Sequence, residues 1–261
     1  MERDSASPLA GRHAVVTGGG TGIGAAVAVA IAGAGARVTL VGRTRGTLEA
    51  TRERLGDNAA TEVADVTDAA SVGAAFERAT ARAGPLAILV NNAGAAESAP
   101  FLKTEAALLD RMLAVNLRGA FHCAQAALPG MLEANDGRVV NIASTAGITG
   151  YAYVAAYCAA KHALVGLTRA LARELATSGV TVNAVCPGFT DTDLVARSVE
   201  TIATKTGRAP EEARRELART NPMGRLVTPE EVAGTVLWLC LPGSAAVTGQ
   251  AIVVAGGEAM P

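Results

Sequence analysis

Three side chains in the middle of the sequence have the types and spacing of a proton-transfer site. Tyr157 and Lys161, in the run Tyr157-Cys158-Ala159-Ala160-Lys161, are four residues apart, and on a helix that spacing puts both on one face. A free phenol titrates near 10, too high to trade protons readily at neutral pH, and a neighbouring ammonium favours the phenolate. The expectation is that Lys161 lowers Tyr157 into the range of a general acid or base acting on a carbonyl or alcohol oxygen. Ser144, 13 positions before Tyr157, would hydrogen-bond the same oxygen. No Gly-x-Ser-x-Gly elbow surrounds it, so a nucleophilic role is not expected. A bare Tyr-x-x-x-Lys match is common on surface helices, and the pair gains weight only from its company. His13, His122 and His162 have no carboxylate or cysteine at useful spacing, and structural or surface roles are expected for them.

That company begins with Thr17-Gly18-Gly19-Gly20-Thr21-Gly22-Ile23-Gly24. Glycines permit a tight turn and let backbone approach a pyrophosphate, whose charge is met by amides at a helix N-terminus. Between a strand and a helix, this pattern reads as a dinucleotide site; elsewhere it would be only a structural turn. The next strand ends Val41-Gly42-Arg43-Thr44. An acidic residue there would bind the ribose 2′-hydroxyl of NAD, whereas an Arg accommodates the 2′-phosphate of NADP. Arg43 therefore points to NADP(H), with NAD(H) as the alternative and a solvent-facing Arg, or Arg45 in its place, as the plain reading.

These residues need a frame that gathers them. Short, nearly continuous apolar runs at 13–17, 37–41, 60–64, 86–90, 137–142, 180–185 and 251–254 read as strands buried on both faces of a parallel sheet. Helices are expected near 22–35, 44–55, 69–83, 104–133, 152–177 and 229–240. Strand and helix taking turns along one chain imply an α/β doubly wound sheet, one domain over residues 1–261, with right-handed crossovers. Residues 190–222 break the rhythm with a dense run of charge, and read as a short helical flap over a pocket or a solvated helix pair.

Composition agrees with that frame and excludes other classes. The 261 residues are 50% hydrophobic and 18% charged, ample for a core. With 23 basic and 24 acidic residues, neither nucleic acid nor an anionic membrane surface is an expected partner. Residues 14–36 carry no charge, but five glycines between 18 and 24 break that stretch, against a bilayer span. Cys123, Cys158, Cys186 and Cys240 lie far apart with no metal-ligand spacing and read as reduced thiols. Nothing resembling an apolar signal core opens the N-terminus, so a soluble, cytoplasmic protein without a metal site is expected.

Together, TGGGTGIG (17–24), Asp65-Val66, Asn91-Asn92-Ala93-Gly94, Asn116, Ser144, the Tyr157/Lys161 pair and Pro187-Gly188 resemble a short-chain dehydrogenase/reductase over residues 9–257. Within that family, residues 140–189 and the segments 221–239 and 247–257 are most similar to bacterial 3-ketoacyl (carrier-protein or CoA) reductases and aromatic polyketide ketoreductases. The resemblance implies a Rossmann-type sheet of seven strands and hydride exchange between a nicotinamide and a ketone or secondary alcohol. It also implies a catalytic tetrad of Asn116, Ser144, Tyr157 and Lys161, with the asparagine holding a water in a proton relay and the lysine also on the nicotinamide ribose. Cofactor contacts are implied for Gly18, Thr21, Gly22, Ile23, Gly24, Arg43, Asp65, Val66, Asn91, Ala93, Gly94, Tyr157, Lys161, Pro187, Gly188, Thr190 and Thr192. Thr190 departs from the pattern, standing where an aliphatic residue is usual, and so does Cys158, where serine or alanine is commoner. The implied substrate is a small-molecule or CoA- or carrier-linked ketone, and the implied assembly a homotetramer. Candidate pocket residues are Thr145, Ala146, Ile148, Gly150, Tyr151, Tyr153, Phe189 and the flap from Leu194 to Met223, where Arg197, Lys205, Arg214 and Arg215 are either cations for the phosphates of coenzyme A or a carrier arm or a solvated helical face. The alternatives are an NAD-dependent catabolic secondary-alcohol or 3-hydroxyacyl-CoA dehydrogenase, a non-catalytic dinucleotide sensor, and a methyltransferase, which would leave Arg43 and the tetrad unexplained.

Overall fold

Seven parallel strands form one sheet in the order β3-β2-β1-β4-β5-β6-β7. The structure is a computed structural model that describes residues 7–259; the first residues, where a signal core was sought, lie outside the described residues. The strands are β1 His13–Thr17, β2 Arg37–Gly42, β3 Ala59–Val63, β4 Leu86–Asn91, β5 Gly137–Ile142, β6 Val180–Pro187 and β7 Ala251–Val254. β1, β5 and β6 are buried along their whole length, because helices cover both faces of the sheet.

The helices are α1 Gly22–Gly33, α2 Arg45–Leu55, α3 Ala69–Ala83, α4 Ala106–Leu113, α5 Gly119–Glu133, α6 Ala155–Glu174, α7 Asp193–Thr206, α8 Pro210–Arg219 and α9 Pro229–Cys240. On one face α1 and α9 pack over Val16, Leu40, Ile88 and Val140; on the other α3 and α5 pack over Val15, Leu89, Val139 and Val182. The described residues form a single Rossmann-type domain.

Chain order reverses between β1 and β4, so the carboxyl ends of those two strands open a crevice, the usual ligand position in an open α/β sheet. Two expectations are corrected. The stretch read as one helix over 104–133 is α4 and α5 joined by a π-helical turn, Ala114–Arg118, and such turns gather at functional positions. The helix read over 152–177 is shorter, α6 starting at Ala155 after a left-handed Tyr153 with φ 68°.

Candidate active site

The glycine turn is shaped by backbone that comes too close for side chains. Gly18 has φ +63°, and a Cβ there would stand 2.8 Å from Asn92 Nδ2 and 3.1 Å from Ala93 Cα. Asn92 Nδ2 donates to the Thr17 and Gly18 carbonyls at 3.0 and 3.1 Å. Thr17 Oγ1 accepts from the Asn92 and Ala93 amides at 3.0 and 3.1 Å. β1 and β4 are thus stapled together where the crevice opens. Sequence reasoning passed over Thr17 and Asn92 as site-shaping residues, although both stand inside the quoted motifs. Thr21 makes no side-chain cap on α1, so the first amides of that helix face the crevice as unsatisfied donors. Gly22, at φ +52°, lies below the Thr192 methyl, 3.1 Å from where its Cβ would be; Ile23 and Gly24 complete the turn.

At the far end of the crevice Arg43 is exposed at the exit of β2. Among the described residues neither Arg43 nor Arg45 forms an ion pair. Asp65 accepts from the Thr67 amide and hydroxyl at 2.9 and 2.8 Å. Those bonds hold its carboxyl below the usual range, with a smaller push from the Arg43 charge. Val66 is buried against Gly119, and its carbonyl meets His122 Nδ1 at 3.0 Å, a structural role for that histidine. Asn91 is turned inward: its Nδ2 donates to Asn141 Oδ1 at 2.9 Å, and its Oδ1 is buried without a protein partner. Ala93 lies two residues on, its backbone close to Gly18, and Gly94 comes next. The cradle and the uncapped helix end fit the pyrophosphate of a dinucleotide.

Ser144 follows β5 and caps the turn Thr145–Gly147, its Oγ accepting from the Ala146 amide at 3.1 Å. Tyr157 lies in the first turn of α6, packed against Leu108 and Met112 of α4. Lys161, one turn further, is buried; its Nζ donates to the Ile142 carbonyl at 2.7 Å and stands 5.7 Å from the Tyr157 ring centroid. Asn116, in the π-helical turn, is fixed from two sides. Its Nδ2 donates to the Ala95 and Met112 carbonyls at 2.9 and 3.0 Å, and its Oδ1 accepts from the Ala95 amide at 3.2 Å. Gly94 is the point of convergence, where a Cβ would meet Asn116 Oδ1 at 2.9 Å and Lys161 Nζ at 3.7 Å. His162 turns away to the Cys158 carbonyl and is exposed.

One electrostatic expectation is overturned. The Tyr157 phenol is pushed up to about 12, by burial first, with the Ser144 hydroxyl opposing. Lys161 is pushed down to about 8, again by burial. The ammonium lies over the ring and is bonded to a carbonyl, so it does not offset the desolvation of the phenolate. Among the thiols, Cys186 is buried beside Lys161 and Ser144 and pushed up to about 11 by that burial. All four cysteines are free.

Pro187 ends β6, and Gly188 leads on to Phe189 and the flap. Thr190 is buried, its hydroxyl donating to the Gly188 carbonyl at 3.0 Å, so the departure from an aliphatic residue is satisfied locally. Thr192 Oγ1 donates to the Thr190 carbonyl at 3.3 Å. The flap is α7 and α8 around a small core of Val195, Val199, Ala213 and Leu226, neither a bare loop nor a fully solvated pair. Its Arg214 is taken up by Asp191 at 2.6 Å. Among the described residues no group of His, Cys, Asp or Glu could hold a metal, and no helix is long and apolar enough to cross a membrane.

Residues 12–203 match the family described as short chain dehydrogenase. The chain belongs to that family. It is 42% identical over 245 residues, 93% of this chain and 94% of the relative, to 2-(S)-hydroxypropyl-CoM dehydrogenase 3 of Xanthobacter autotrophicus. It is 40% identical over 249 residues, 94% and 92% of the two chains, to the granaticin polyketide synthase putative ketoacyl reductase 1 of Streptomyces violaceoruber. Among solved structures, a variant of the actinorhodin polyketide ketoreductase with NADPH superposes with a TM-score of 0.91 at 38% identity, over 95% of this chain and 97% of that one. A short-chain dehydrogenase with these relatives is an oxidoreductase acting on ketones or their alcohols with a nicotinamide cofactor.

Proposed function

We propose that this short-chain dehydrogenase is an NADP(H)-dependent ketoreductase acting on a 3-ketoacyl thioester or polyketide-type ketone. The observation that carries the reading is the convergence of Ser144, Tyr157, Lys161, Asn116 and Gly94 at the carboxyl edge of the sheet, beside the glycine turn. In this reading Gly18, Thr21, Gly22, Ile23 and Gly24 cradle the pyrophosphate, and Arg43 takes the 2′-phosphate. Asp65 and Val66 border the adenine, while Asn91 supports the groove floor formed by Ala93 and Gly94. Pro187, Gly188, Thr190 and Thr192 bracket the nicotinamide, which when bound supplies the hydride.

The chain's own residues handle the oxygen and the proton. The Ser144 hydroxyl donates to the substrate oxygen and holds it against Tyr157. Tyr157, a neutral phenol at pH 7, donates its proton as negative charge grows on that oxygen. Lys161 keeps a positive charge one turn away from the phenolate that remains, and its bond to the Ile142 carbonyl fixes where the charge sits. Asn116, pinned to Ala95, keeps the π-helical turn against the lysine. A phenol held in its neutral form gives up its proton as the alkoxide forms on the substrate oxygen.

Turnover of acetoacetyl-CoA, ethyl acetoacetate and trans-1-decalone with NADPH and NADH tests the reading. Tyr157→Phe is expected to lower kcat by about 10²-fold or more, and NADPH to be preferred. Absence of turnover, or activity that survives Tyr157→Phe, refutes catalysis at this site; better use of NADH refutes the role of Arg43. The same reading carries a cytoplasmic homotetramer, one domain across the chain, and a free or carrier-linked ketone as partner.

A further inference from the structure

The end of the described chain returns to the rim of the active-site cleft. After β7, Gly256 lies against the Asn221 side chain, Gly257 stands where its Cβ would be 3.4 Å from Pro222 Cγ, and Glu258 lies against Gly188. Tyr151 Oη donates to Glu258 Oε1 at 2.6 Å, joining residues 107 positions apart. The Tyr151 ring meets Phe189 edge-on, with centroids 6.2 Å apart and planes at 81°. Its hydroxyl also neighbours Thr145, the residue after Ser144. The loop that carries Ser144, the exit of β6 and the C-terminal tail are therefore tied at one point.

Two features mark this tie as specified. Glu258 Oε2 is buried with no protein partner, pressed on the Gly188 backbone where even a methyl would clash. A carboxyl oxygen in that state is costly, so the other oxygen's bond must hold it. Two residues beyond Tyr151, the exposed Tyr153 is left-handed at φ 68°, its carbonyl accepting from the Ala99 amide at 2.8 Å, so the backbone of this loop is pinned beside the tie. Phe189 is fixed from behind as well, packed on the flap core of Val195, Val199, Ala213 and Leu226. Both rings of the pair are thus held, and neither can swing aside without breaking a named contact.

We propose that Glu258 is a positioning residue that determines specificity: by holding Tyr151 against Phe189 it fixes an aromatic rear wall to the ketone pocket, which admits a compact open-chain 3-ketoacyl group and turns away a fused-ring ketone. This rests on the ketoreductase reading above. A carboxylate accepting from a phenol is among the stronger hydrogen bonds, suited to a wall that must keep its place through the cycle. The Asn221 and Pro222 contacts extend the same tail to the end of the flap, so the wall is continuous from the loop after β5 to the flap.

The experiment measures kcat and KM for ethyl acetoacetate and trans-1-decalone with NADPH in the wild type, Glu258→Ala, Tyr151→Phe and Glu258→Gln. Tyr151→Phe keeps the ring and loses the bond; Glu258→Gln keeps an acceptor oxygen. The ratio of kcat/KM for the decalone to that for the ester is expected to rise about tenfold in Glu258→Ala and Tyr151→Phe, through a higher KM for the ester and a lower one for the decalone. Glu258→Gln should return the ratio to near the wild-type value. General loosening of the fold would lower both substrates together and leave the ratio alone. Turnover at one ratio in all four proteins overturns the proposal and spares the ketoreductase reading; turnover of neither ketone by the wild type overturns both.

Discussion

Tyr157 and Lys161 illustrate how much a side chain's chemistry depends on its surroundings rather than its spacing. Four residues on a helix put ammonium and phenol on one face, and the sequence-based expectation was that the charge would win. In the fold burial wins at both, lifting the phenol to about 12 and lowering the amine to about 8. Depth of burial depends on what α4 and β5 lay over α6, which no spacing inside Tyr-x-x-x-Lys encodes. Alcohol oxidation needs the phenolate, so its kcat/KM is expected to climb at about tenfold per pH unit from 6 to 8, below the range in which Lys161 loses its charge. Ketone reduction, which uses the neutral phenol, should show no such rise; a plateau in oxidation below pH 8 would contradict the elevated phenol. Stability has its own pH signature. Between about 8 and the ordinary lysine value near 10.4, the unfolded amine holds a proton that the folded one has lost, so folding gains with rising pH. Urea unfolding of wild type against Lys161→Met should therefore show the difference moving toward the wild type from pH 8 to 10 and flat from 6 to 7.5. Above pH 10 the tyrosine acts in the opposite sense, since the folded phenol keeps a proton that the unfolded one releases.

Secondary-structure elements divide into those that hold the fold and those that aim the site. α9 belongs to the first kind: Thr228 Oγ1 accepts from the Glu231 amide while Glu231 reaches back to the Thr228 amide, a complete capping box. Thr228→Ala is expected to cost about 1 kcal/mol in urea unfolding with kcat nearly unchanged. The π-helical turn of 114–118 belongs to the second. Gly94→Ala would push a methyl onto Asn116 Oδ1 and toward Lys161 Nζ, and is expected to lower kcat by about 10²-fold through misplacement of those groups while unfolding changes less than for a core cavity. If Gly94→Ala retains full activity, the convergence at that glycine has no catalytic consequence. The seven strands were legible in the sequence to within a residue or two, because β-branched runs buried on both faces leave a continuous apolar signature. The interruption between α4 and α5 was not, since the residues of 104–133 read as one helix, and the inserted turn shows in the backbone of 114–118, where Asn116 is then held to Ala95 and Met112. Gly18, Gly24, Ser144 and Tyr157 could be named from motif; Thr17 and Asn92, which brace the crevice across 75 positions, act through tertiary bonds that a linear reading does not rank. The Tyr151–Glu258 tie was half visible, as Tyr151 was already a pocket residue while Glu258 lies outside every motif.

The isolated chain leaves a conspicuous set of large apolar side chains in water. Phe101 and Leu102, in the turn before α4, are 76% and 96% exposed, and Leu109 of α4 and Phe121 of α5 are 37% and 44% exposed. Scattered surface leucines need no explanation, but a run along two consecutive helices and the turn that precedes them is the kind of surface that another protein copy covers. The proposed homotetramer would bury this face, with α4 and α5 set against their counterparts in an isologous arrangement in which the same patch serves both partners. Such burial would also stiffen the π-helical turn between the two helices, and assembly would then be coupled to the placement of Asn116 through one element. Light scattering of the 26.2 kDa chain is expected to report four copies. Phe121→Asp places a charge on this face at a position already partly solvated within the chain, so the fold should survive while the assembly falls to dimers or single chains, with kcat reduced alongside it. A monomeric wild type with full activity, or a Phe121→Asp protein of unchanged mass, would show instead that these residues meet only water and that the site is complete in one copy.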